Sequence, residues 1–99
     1  MNIKINAVDF STDKKLEEFI NEKLNKLWSM YDGIIGAEVI LKLENTSNDE
    51  NKIVEVLLII KGSDLFSKKQ AKTFEEGIVQ CVDALKVQLK KYKDKIRNK

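Results

Sequence analysis

The sequence predicts an α+β domain of order β-α-β-β-β-α, a four-stranded sheet with two helices packed on one face. Three observations predict it. Apolar and polar residues alternate near the N-terminus and over 37–44, and a β-branched apolar run fills 53–60, as strands require. Apolar residues recur at three and four over 16–31 and 78–96, the period of amphipathic helices. With 99 residues of which 42% are hydrophobic, the chain can bury one modest core, so a single domain over 1–99 is expected.

The elements follow in order. Ile3, Ile5 and Ala7 alternate with Asn2, Lys4 and Asn6, a short strand with one apolar face. Ser11 or Thr12 is suited to cap a following helix, because a hydroxyl can accept from an unpaired first-turn amide. Leu16, Phe19, Ile20, Leu24, Leu27 and Tyr31 form the stripe of that helix, roughly 13–30. Asp32-Gly33 should stop it, glycine supplying the positive φ of a helix end. Ala37, Val39, Leu41 and Leu43 mark a half-buried second strand. The polar segment 45–51 turns the chain into a third strand over 52–61. After Gly62-Ser63-Asp64 a weaker strand, 65–72, carries Lys68, Lys69 and Lys72, and charge of that kind belongs on a sheet edge.

Thr73 and Glu76 fit a capping box, each side chain reaching the other's backbone amide. The helix behind it, roughly 74–97, would be about 36 Å long at 1.5 Å per residue. Its stripe is Ile78, Cys81, Val82, Leu85, Leu89, Tyr92 and Ile96. Cys81 is expected to be a small core residue, Trp28 to be partly buried, and Tyr92 to pack its ring on the sheet with the hydroxyl outside.

Several chemistries are excluded. There is no histidine, which removes histidine bases, triads and histidine metal sites. One cysteine permits neither an internal disulfide nor a paired-cysteine zinc site. Neither phosphate-binding glycine motif occurs. No cofactor, no metal and no catalysis are expected. The longest apolar run, Val56 to Ile60, is far short of the ~18 residues of a membrane span. With no apolar leader at the N-terminus, the cytoplasm is the expected compartment.

Charge is the informative property. The formal net charge is only +2, but it is unevenly spread. Residues 84–99 contain Lys86, Lys90, Lys91, Lys93, Lys95, Arg97 and Lys99 against the single acid Asp94, a local +6 on a remainder of −4. At 100° per residue, Lys86, Lys90, Lys93 and Arg97 fall in a stripe about 60° wide beside the apolar face. Lys91 and Lys95 lie on its other flank. Cations at a helix C-terminus suit the dipole and keep a small domain soluble, which is one explanation. The other is a polyanionic partner, whose phosphates long lysines can meet one by one. Phosphate contacts position without reading bases, so RNA shape would be recognised. From the residues alone, Lys23 and Lys26 are ordinary surface lysines.

The order of elements, the segment 18–27 (EFINEKLNKL) and above all 88–96 (QLKKYKDKI) resemble the ribosome hibernation-promoting factor family. The likeness implies a cytoplasmic bacterial protein of the family's short form. It would bind the small ribosomal subunit and its ribosomal RNA, occupy the messenger and transfer RNA sites, and inhibit translation in stationary phase or starvation. Carried over by position, Lys23 and Lys26 match the family's helix 1 lysines, and Lys91, Lys93 and Lys95 its helix 2 lysines. Lys86, Lys90 and Arg97 rest on the stripe. Thr73, Glu75 and Val79 replace an Asp-x-Tyr and Ala-Ile-Asp signature of many members, and Val87 stands where a basic residue is common.

Two other readings stay open. One is a generic double-stranded RNA module, which also binds by shape. The other is a protein-interaction module using Trp28 and the sheet's open face, where Ile40 and one phase of 53–60 place apolar side chains. Weak self-association would use the same face.

Overall fold

A computed structural model describes residues 2–45, 47 and 49–97. Lys99 of the cationic end and two positions of the 45–51 turn lie outside these described residues. The elements are β1 (Ile3–Ala7), α1 (Lys14–Trp28), β2 (Ile34–Leu43), β3 (Lys52–Ile60), β4 (Leu65–Ala71) and α2 (Phe74–Arg97). The sheet order is β1-β2-β3-β4. β1 runs parallel to β2 through the α1 crossover, and the other two pairings are antiparallel. Among the described residues no helix is long and apolar enough to cross a membrane.

The register explains the layering. Val39 lies opposite Val56 and Leu41 opposite Val54, so their side chains share the inner face. Ile5 and Ala7 of β1 sit beside them. Against that face lie Ile20, Leu24 and Leu27 of α1 and Ile78, Cys81, Val82, Leu85 and Leu89 of α2, in one buried cluster. Both helices therefore cover the same side of the sheet. Gly77 is the point of closest approach of α2: a Cβ there would stand 2.6 Å from Val54 Cγ2. Lack of a side chain lets the helix start lie flat on β3. Phe10 and Phe74 stack at 5.1 Å, joining the segment before α1 to the first residue of α2.

Local details correct several expectations. The N-cap of α1 is Asp13, whose Oδ1 accepts from Leu16 N at 2.7 Å, rather than Ser11 or Thr12. Thr12 instead donates to the Glu17 carboxylate. The helix closes at Ser29, which keeps a right-handed helical conformation. Gly33 does not supply a positive φ; in the described residues only Asp9 and Gly62 have one. What Gly33 provides is room, since a Cβ would lie 2.4 Å from the Tyr31 ring. At α2, Thr73 Oγ1 accepts from Glu76 N at 3.0 Å as expected, but the Glu76 carboxylate accepts from Gln80 instead of reaching back. Leu43 is 52% exposed and Ile96 38% exposed, so the inner stripe of β2 and that of α2 each stop short of their ends.

The stripe of α2 is fully buried only as far as Leu89, and the following turns run past the sheet. They give the molecule its elongated shape, 48 × 25 × 18 Å. Two polar bonds fasten α2 where it crosses β4 and the β3–β4 turn: Gln88 Nε2 donates to Phe66 O at 2.8 Å, and Tyr92 Oη donates to Lys61 O at 3.1 Å.

Two outcomes follow for the core. Leu85 is 0% exposed, so Leu85→Ala should lower unfolding free energy by about 2–5 kcal/mol in a denaturant titration. Cys81 is also 0% exposed, with Sγ 3.5 Å from Val54 O. Burial raises its thiol pKa above the ordinary range. A group raised in the folded state stays protonated after the unfolded chain has ionised, so its contribution to stability is lost as pH climbs above the normal thiol pKa. Near neutral pH a thiol reagent should therefore label Cys81 only as fast as the protein opens, and labelling of the native protein at full speed would contradict this packing.

Candidate nucleic-acid interface

The two helices lie side by side on the sheet, and the seam between them is where the cations gather. On α1, Lys23 and Lys26 are three residues apart and so share a side of the helix. On α2, Lys86 comes up beside them. These three lysines, with Val79, Val82 and Asp83, line one shallow groove. The Lys23 ammonium sits over the Phe19 ring, 5.3 Å from its centroid. An aromatic face attracts a cation and here restrains an otherwise mobile side chain.

A second groove lies further along α2, lined by Met30, Lys90, Lys93, Asp94 and Arg97. Met30 closes the last turn of α1, its amide bonded to Leu27 O at 3.0 Å. Lys93 Nζ donates to the Met30 carbonyl at 2.7 Å. Lys90 and Arg97 are exposed on either side of it. Lys91 and Lys95 are exposed too but border neither groove, so they stand on the opposite flank of the projecting rod.

The predicted stripe is thus divided. Lys86 joins the α1 lysines, while Lys90, Lys93 and Arg97 gather around the end of α1. Lys23 and Lys26, ordinary by charge pattern and singled out only by the family resemblance, become part of the array because tertiary packing brings α1 alongside α2. Sequence reasoning counted Asp94 only in the charge balance and passed over Asp83. Asp83 and Asp94 each sit inside one groove, and stepping the 100° count from Lys86 and Lys90 to the acids would have placed both there. Neither acid neutralises the array. The ion pairs Lys14–Glu18 and Lys42–Glu55 lie elsewhere, and among the described residues none of the eight cations is in an ion pair.

Along the seam, six cations face two carboxylates. Successive turns of α2 space them by roughly 5–6 Å. Such a surface can hold a polyanion. The opposite face of the sheet differs. Ile40 and Leu57 are half-buried there and Phe66 is 49% exposed. Charges of opposite sign sit opposite each other across the strands: Lys4 by Glu38, Lys68 by Glu55, and Lys42 in an ion pair with Glu55 at 3.0 Å. That face is close to neutral and internally matched. Trp28 is half-buried against the core, as expected from its place at the stripe's edge.

Comparison with known proteins agrees with this architecture. A family model described as sigma 54 modulation protein / S30EA ribosomal protein matches residues 3–97. A ribosome hibernation promoting factor of Pseudomonas putida is 28% identical over 95 residues, 96% of this chain and 89% of that protein. The protein of that name from Escherichia coli K12 is 26% identical over 97 residues, 98% of each chain. Among solved structures, a ribosomal subunit interface protein from Coxiella burnetii superposes with a TM-score of 0.83 at 22% identity, covering 95% of this chain and 99% of that one. The N-terminal domain of Thermus thermophilus Protein Y gives 0.81 at 22% identity, with 93% and 99% covered. At that identity the two structures show a shared fold.

Proposed function

The chain belongs to the sigma 54 modulation protein / S30EA ribosomal protein family, and from that premise we propose that it is a ribosome hibernation factor. The observation that carries the reading is the convergence of cations from both helices on one seam, in a chain whose named relatives are hibernation promoting factors. It acts by occupancy. No bond is made or broken, and no metal or cofactor takes part.

In this reading the partner is the small ribosomal subunit. The rigid sheet holds α1 and α2 so that Lys23, Lys26, Lys86, Lys90 and Arg97 follow folded ribosomal RNA along the seam. Lys91 and Lys95 reach phosphates on the outer flank, and Lys93 stands among them with its ammonium on the Met30 carbonyl. The bound domain fills the path of messenger and transfer RNA and keeps the subunit from initiating in stationary phase or starvation. The near-neutral open face of the sheet takes no part in holding RNA. A duplex-RNA module would use the same charges. The two differ in preference, since a hibernation factor selects ribosomes over an arbitrary RNA duplex.

Two measurements test the reading. If about five phosphates are neutralised, affinity for ribosomes should fall a few hundred-fold between about 50 and 200 mM salt, taking a slope near −0.9 per contact. Binding that ignores salt, or absence from ribosomal fractions at low salt, would refute it. Lys91→Glu with Lys95→Glu removes two exposed cations that border neither groove. Thermal unfolding should stay within about 0.5 kcal/mol of wild type while co-sedimentation with small subunits and inhibition of in vitro translation are lost.

A further inference from the structure

Lys93 stands apart from the other cations. The apolar stripe of α2 ends its full burial at Leu89, one turn before Lys93, so packing alone no longer aims the helix. Polar and aromatic ties take over at that turn. Tyr92 meets the Tyr31 ring edge-on, with centroids 5.9 Å apart, and its hydroxyl holds Lys61 O. Lys93 Nζ holds the Met30 carbonyl at 2.7 Å. Met30 is at the negative end of the α1 dipole, where a cation is favoured and a charge-assisted bond is strong. The side chain is half-buried and its ammonium is already engaged, whereas Lys90 and Arg97, one turn either way, are exposed.

We propose that Lys93 is a positioning residue: its bond to Met30 fixes the angle of the projecting end of α2, so that Lys90, Lys91, Lys95 and Arg97 are presented together, and Lys93 itself does not meet a phosphate. The inference rests on the ribosome-binding reading and adds a division of labour within the array. It also implies that acetylation of Lys93 is tolerated, because the acetylated nitrogen keeps one N–H to donate, while acetylation of Lys90 is not.

The test compares variants that separate donor from charge. Lys93→Met keeps the stem and loses both. Lys93 acetylated at Nζ, and Lys93→Gln, keep a neutral donor. All are measured for ribosome affinity well below their unfolding transitions, so that only folded protein is compared. Lys93→Met should bind about tenfold more weakly or worse, the scale of a lost charge-assisted hydrogen bond. At least one neutral donor should bind within about threefold of wild type with an unchanged salt slope. At Lys90 the result should differ, with Lys90→Gln as weak as Lys90→Met. Equal losses in every neutral Lys93 variant, with the slope reduced by about 0.9, would make Lys93 a phosphate contact and overturn the proposal. So would wild-type affinity in Lys93→Met. Should the wild-type protein not bind ribosomes, the ribosome reading fails separately. Amide exchange over 90–97 then decides for Lys93: faster in Lys93→Met than in the acetylated protein supports the tie, and equal rates overturn it.

Discussion

The burial of one face of α2 on the inner side of the sheet is the constraint from which the rest follows. Ile78, Cys81, Val82, Leu85 and Leu89 are all nearly or fully excluded from water. Each buried side chain of this size contributes about 1.5–3 kcal/mol, far more than any surface ion pair, so they set where the helix lies. Gly77 lets the first turn come close to Val54, and Gln88 and Tyr92 fasten the far end. The helix is longer than the sheet it crosses, and its last turns are left in solvent with most of the molecule's excess positive charge.

Placing charge where packing ends has a physical logic. A lysine at a buried position would lose hydration that nothing on this apolar surface repays. Past Leu89 no such penalty applies, and the cations also sit at the negative end of the α2 dipole. Spreading the cations along successive turns rather than crowding them at one point limits their mutual repulsion. Asp83 and Asp94 reduce repulsion within each groove while leaving a net positive field. Such a surface gains from a phosphate backbone chiefly by releasing its counterions, and that gain needs no base-specific contact.

The two faces of the molecule are built on different electrostatic principles. On the helix side, like charges are gathered and left unpaired among the described residues. On the open side of the sheet, Lys4, Glu38, Lys42, Glu55 and Lys68 alternate in sign across neighbouring strands, and Lys42 and Glu55 form an ion pair. A face that is matched within itself has little field to offer a polyanion. The same folded domain therefore carries one strongly cationic side and keeps the other close to neutral, and the distinction is set by strand register as much as by composition.

The element order, the long C-terminal helix, most of the core and the existence of a cationic end are all legible in the amino-acid pattern. Those properties are written in local periodicity, in the Thr73 cap and in the uneven spread of lysines, none of which needs a partner element to be recognised. It was less informative at the ends of elements: Asp13 caps α1 where Ser11 or Thr12 was expected, and Gly33 serves the Tyr31 ring instead of a left-handed turn. Those choices depend on which donor or ring happens to be near, and a one-dimensional pattern holds no such distances. Packing in three dimensions is what sets Lys23 and Lys26 beside Lys86, puts Asp83 and Asp94 in the grooves, and ties Lys93 to Met30 across 63 positions of sequence. The physical reason is the side-by-side packing of α1 and α2 on a common sheet face, which turns separate helix surfaces into a single seam.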